Sequence, residues 1–194
     1  MRREAVIDGE YRYSLIREWD ESNAQRVVFV LLNPSTADDE GDDQTTKVCI
    51  EFAKKWGYGS LQIVNLFAFR ATYPTDLKKV KDYKKMVGVH NHSFLQNALQ
   101  NADKIVVAWG EHGKIQKRYM DDSLKSLFSY FPLYCFREIA NNQPKHPLGV
   151  DYNTPLVEYT FFKQFRRPAL DEGVVEFSDI DEEMGNSEKN NFVS

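Results

Sequence analysis

Three apolar runs limit what this chain can fold into: Val27-Val28-Phe29-Val30-Leu31-Leu32, Ile63-Val64-Asn65-Leu66-Phe67 and Ile105-Val106-Val107-Ala108. Each has the length of a strand and no polar face, so each predicts a strand buried on both sides. Helical spacing lies between them, from Thr45 or Thr46 through Val48, Ile50, Phe52, Ala53 and Trp56, and again from Asn91 to Asn101. A third amphipathic pattern runs from Lys114 to Phe131, and further strands are read at Tyr11 to Trp19 and, shorter, at Leu133 to Phe136. Strand and helix in alternation predict an α/β fold with a parallel sheet and helices on both faces.

The runs end in residues that suit a site better than a core. In open α/β sheets ligands bind at the carboxyl ends of the strands, where Asn33-Pro34-Ser35, Asn65 and Trp109-Gly110 would lie. Proline holds Asn33 out of the helical region, so the turn can aim its side chain across the strand ends or simply cap the loop. Asn65 interrupts an apolar strand, and a buried amide left unpaired costs about 1–3 kcal/mol. It must bond to backbone or to a visitor, and its paired donor and acceptor match the edge of a nucleobase. His146 stands in the loop after the last short strand, and His112 follows Trp109-Gly110 by two residues. Five acids crowd the loop after Asn33, of which Asp38 and Asp43 are the better candidates for a general base. Phe67, Phe69 and Tyr73 could stack on a base or fill the core. His90-x-His92 lacks a further ligand set of suitable spacing, so no metal or other cofactor is expected.

The 194 residues fit one domain, here residues 1–168, and 42% hydrophobic content is enough for its core. The net charge of −4 is unevenly spread. Residues 171–194 hold eight acids and one lysine, a charge of −7, which leaves +3 on the rest. The composition of residues 169–194 predicts a solvated, disordered tail, with a phosphate-mimicking cover or a protein-binding segment as the sharper reading. No apolar stretch is long enough to cross a bilayer, and the start does not read as a secretory signal. Cys49 and Cys135 do not form a disulfide framework, which points to a reducing cytoplasm.

Taken in order, Leu32-Asn33-Pro34, Val64-Asn65-Leu66, Val107-Ala108-Trp109-Gly110 and His146-Pro147-Leu148 resemble the motifs of the uracil-DNA glycosylase superfamily. Over most of the body the chain is also similar to an uncharacterised bacterial and phage family, DUF1643. That likeness is carried by Leu32-Asn33-Pro34-Ser35-Thr36-Ala37-Asp38, Trp56-Gly57-Tyr58-Gly59, Asn65 to Thr72, Ala108-Trp109-Gly110-x-His112-Gly113 and His146-Pro147-Leu148. One departure is Asn91-His92, where that family usually has Asn-Asp.

The glycosylase resemblance implies a three-layer αβα sandwich around a central, mostly parallel four-stranded sheet. It implies that Asn33 or Asp38 places a water, that Asn65 reads the base edge and that His146 stabilises the departing base. Ser35, Phe67, Arg70, Trp109, His112 and Leu148 complete the expected ligand-binding set, with Leu148 at the position of a DNA wedge. The expected partner is a nucleobase, nucleoside, nucleotide or single-stranded DNA. The expected reaction is hydrolysis of an N-glycosidic bond. The alternatives are a nucleotide-binding or sequestering module without catalysis, or a phage protein that inhibits a host factor.

Overall fold

A computed structural model describes residues 1–166; the acidic tail expected at 169–194 lies outside the described residues. The strands are β1 (Arg2–Asp8), β2 (Tyr11–Glu18), β3 (Arg26–Leu31), β4 (Ser60–Asn65), β5 (Lys104–Val107), β6 (Leu133–Cys135), β7 (Glu138–Ile139), β8 (Gln143–Pro144) and β9 (Val157–Glu158). The helices are α1 (Gln44–Lys55), α2 (Pro74–Leu77), α3 (Tyr83–Val87), α4 (Asn91–Gln100) and α5 (Asp122–Ser129), with 3-10 turns at Glu111–Met120, Ala140–Asn142 and Phe161–Phe165.

The sheet has seven strands in the order β1-β2-β4-β3-β5-β6-β9, which corrects the expectation of four. The four expected strands are its parallel centre, β4-β3-β5-β6. Antiparallel strands extend that centre on both sides: β2 pairs with β4 and carries β1, while β9 pairs with β6. β7 and β8 form a separate two-stranded ribbon.

Alternation along the central strands divides the core in two. Val28, Val30, Val64, Ile105 and Val107 pack with Leu95, Leu99, Leu124 and Phe128 of α4 and α5. Val27, Phe29, Leu31, Leu61, Ile63 and Val106 pack with Val48, Ile50, Phe52 and Ala53 of α1. Helices therefore lie on both faces, as the unbroken apolar runs require.

The long helix expected over Lys114–Phe131 is not continuous. Ile115 is extended (ψ 122°), and Gln116 and Lys117 have φ of 49° and 50°, so only Asp122–Ser129 is α-helical. A break of this kind leaves the apolar spacing intact, which is why the pattern alone reads as one helix. Among the described residues no helix is long and apolar enough to cross a membrane.

β2 contains an irregularity that matters for the site. Its pairing with β1 runs Val6↔Ser14 and then Ile7↔Arg12, which leaves Tyr13 without a partner of its own. Such a bulge places two successive side chains on one face and re-aims what precedes them. Tyr13 stacks on Phe94 of α4, while Arg12 reaches Ala37 on the α1 side.

Candidate functional site

A cavity of about 600 Å³ opens at the carboxyl ends of β3 and β5. Leu31, Leu32 and Asn33 line it from β3, and Trp109 and Gly110 from β5. Asp43 to Thr46 bring the start of α1 to it, and Lys145, His146 and Leu148 close it from the last loop. The volume lies in the range of small-molecule sites.

Burial pushes the His146 imidazole down to about 4, and the neighbouring Lys145 adds to the effect while Asp43 opposes it. The ring is therefore neutral near pH 7. The Leu148 N–H donates to His146 Nδ1 at 3.3 Å, which places the ring proton on Nε2. His146 is thus a neutral N–H donor on a cavity wall. Its position depends on Gly110, whose φ is +73° and where a Cβ would stand 3.0 Å from the His146 Cβ. The Gly110 N–H donates to Pro144 O at 3.0 Å and ties the strand end to that loop.

Asn33 uses its amide nitrogen on Pro34 O (2.9 Å) and Ala71 O (2.8 Å), which leaves Oδ1 as the group it can offer a ligand. Asn65 is 1% exposed, and neither its Nδ2 nor its Oδ1 has a hydrogen-bond partner. It is the register partner of Leu31 and, two residues on from Ile63, projects to the same α1 face. Leu31 lines the cavity, so Asn65 sits beside the wall rather than on it.

The remaining expected residues divide. Ser35, Trp109, His112 and Leu148 line the cavity. The Trp109 ring is nonetheless packed against Tyr119, Phe128, Tyr159 and Phe162, and its Nε1–H donates to Gln143 Oε1 at 3.0 Å. A Cβ at Gly113 would stand 2.0 Å from Trp109 Cδ1, so glycine is needed for that packing. Phe67 is fully buried in the α4 face, edge-on to Tyr83. Arg70 lies off the cavity and donates to the carbonyls of Ser35 and Thr36. Asp38 also lies off it. Its Oδ1 accepts from the Gly41 and Glu40 amides, which hold the carboxyl below its usual range.

Arg12, Arg137, Lys145 and the Gln44–Thr46 turn line the cavity without being expected there. Arg12 is missed because β2 runs antiparallel: its first residues lie at the edge where the parallel strands end. The one signal was an arginine inside an apolar strand pattern. The residue is 2% exposed, and burial lowers its guanidinium to about 10, against the pull of Asp43. It stays charged at pH 7. Among the described residues no group of three or more His, Cys, Asp or Glu is placed to hold a metal ion.

No curated protein and no solved structure gives a significant match to the chain. A family model does, and it spans β2 through the His146 loop, so it covers the cavity walls as well as the parallel sheet. The chain belongs to the family described as protein of unknown function (DUF1643), which matches residues 12–148.

Proposed function

We propose that the cavity binds a nucleobase in its nucleoside or nucleotide form and hydrolyses the N-glycosidic bond. The observation that carries the reading is that Asn33 and a neutral His146 converge on one cavity at the carboxyl edge of the parallel strands. Four parallel strands between helix layers also agree with the fold that the glycosylase resemblance implies.

Breaking an N-glycosidic bond leaves negative charge on the base and positive charge on the sugar. A preorganised donor aimed at the developing anion lowers that barrier, and His146 Nε2–H is such a donor. Asn33 Oδ1 and the Asp43 carboxylate are among the acceptors that line the cavity and could hold a water. Asn65, beside the wall with both amide atoms unpaired, would supply a donor and an acceptor to the base edge once the Leu31 side of the wall gives way, at the cost in stability of keeping both unpaired in the free protein. A binding module without hydrolysis is the second reading. It is favoured by Asp38, whose carboxylate is spent on its own loop.

The test is incubation with ribo- and deoxyribonucleosides and their 5′-monophosphates, followed by chromatography for released base. Asn65→Leu and His146→Gln are run alongside, with ligand binding followed by thermal shift. Hydrolysis predicts base release that falls on the order of 10²–10³-fold in His146→Gln. Binding without release selects the module. Asn65→Leu should abolish binding while raising unfolding stability by about 1–3 kcal/mol, since it removes an unpaired amide. Binding that survives in Asn65→Leu would remove that residue from the site.

A further inference from the structure

We propose that the Arg12 end of the cavity is a phosphate subsite, so that the ligand is a nucleotide rather than a free base or nucleoside. This rests on the base-pocket reading above and names its substrate class.

α1 is twelve residues long, and its first turn lies on the cavity wall. Asp43 caps it by accepting from the Thr46 N–H at 2.8 Å, and the Lys47 N–H bonds to the Asp43 carbonyl. The Gln44 and Thr45 amides are left as the unspent donors of the helix start, where the partial positive charge of the helix also falls. Helix starts of this kind hold phosphate oxygens.

Arg12 makes the second, independent observation. It lines the same cavity, its Nη1 donates to Ala37 O at 2.7 Å, and its buried Nε has no partner. No carboxylate among the described residues forms a salt bridge with it. A buried guanidinium that Asp43 and Asp38 attract only at a distance, with no carboxylate in contact, is costly, and a phosphate offers a pair of oxygens that its fork fits.

The charges on the wall point the same way. Arg12, Arg137 and Lys145 face Asp43 and Glu111, and none of the three cations is in a salt bridge among the described residues. The Glu111 side chain is 73% exposed, so its repulsion is screened by solvent. Asp43 is the real opponent; one of its oxygens accepts from the Thr46 N–H, and the helix start together with Arg12 sets two positive groups against that single charge.

The test is calorimetric titration of the full chain with uridine, cytidine, adenosine and guanosine, with their 5′-monophosphates, and with inorganic phosphate. The variants are Arg12→Gln and Gln44→Pro. Proline is tolerated at the first helical position and removes only one amide, and the extended Asp43 (ψ 172°) suits a following proline. The expected result is that a monophosphate binds at least about tenfold more tightly than its nucleoside. Both variants should shrink that ratio by weakening the monophosphate more than the nucleoside. Equal binding of nucleoside and monophosphate would overturn the subsite and keep the base pocket. If no nucleoside or nucleotide binds, the base pocket falls, and inorganic phosphate then decides the subsite alone. Phosphate binding that Arg12→Gln abolishes would retain it, and no phosphate binding would end it.

Discussion

His146 is where the chemistry of one residue reaches the stability of the whole chain. Its folded value of about 4 lies below the 6.5 of a free ring, so the unfolded chain takes up the proton first. The stability due to the neutral ring is fully present above pH 6.5 and is lost as the pH falls toward 4. The full shift corresponds to about 3 kcal/mol. Urea unfolding at pH 7 and pH 4.5 should therefore show a smaller pH-dependent loss in His146→Gln than in the wild type. Equal losses in the two proteins would mean that the ring is protonated freely in the fold. Asn33, Trp109 and His146 were legible as cavity residues because each follows an apolar run or stands in a motif. Arg12 was not, because a period-2 reading of Tyr11 to Glu18 puts it on the face of Ser14, and only the bulge at Tyr13 turns it toward α1.

At the scale of elements, legibility follows burial. β3, β4 and β5 are apolar on both faces and stand out in the chain. β1 is exposed at all but one of its positions, so Arg2–Asp8 carries no alternation to read. β9 has two residues, both exposed. Both are sheet margins, held by backbone hydrogen bonds that local composition does not encode. The same contrast predicts dynamics. By hydrogen exchange, the β3 and β5 amides should open only with global unfolding, and the β1 amides on the order of a hundredfold faster or more. Matching rates in β1 and β3 would make the margin part of the cooperative core. Because β1 braces the strand that holds Arg12, a loosened β1 should weaken anion binding before it lowers the melting point.

For the whole molecule the uneven charge is the main long-range term. Residues 1–168 carry +3, and the segment from 171 onward carries −7. A chain ending at residue 168 should associate faster with anionic ligands at low salt. The difference should vanish as ionic strength passes about 0.15 M, where the screening length is about 8 Å. Stopped-flow binding of a nucleoside 5′-monophosphate to both chains measures it, and equal rates at 10 mM salt would place the tail charge out of reach of the cavity.

β2 carries two buried arginines that meet opposite fates. Arg17 has all five of its N–H donors occupied, by Asp42 and by the carbonyls of Glu4, Ile16, Asp38 and Gly41. The acidic loop, which looks self-repelling in the chain, is wound around that cation. Arg12 has one carbonyl, that of Ala37. To a molecule arriving from solvent, the first arginine is closed and the second is still open for exchange. One strand therefore supplies both the rivet that fastens the loop and the handle that the loop leaves within reach.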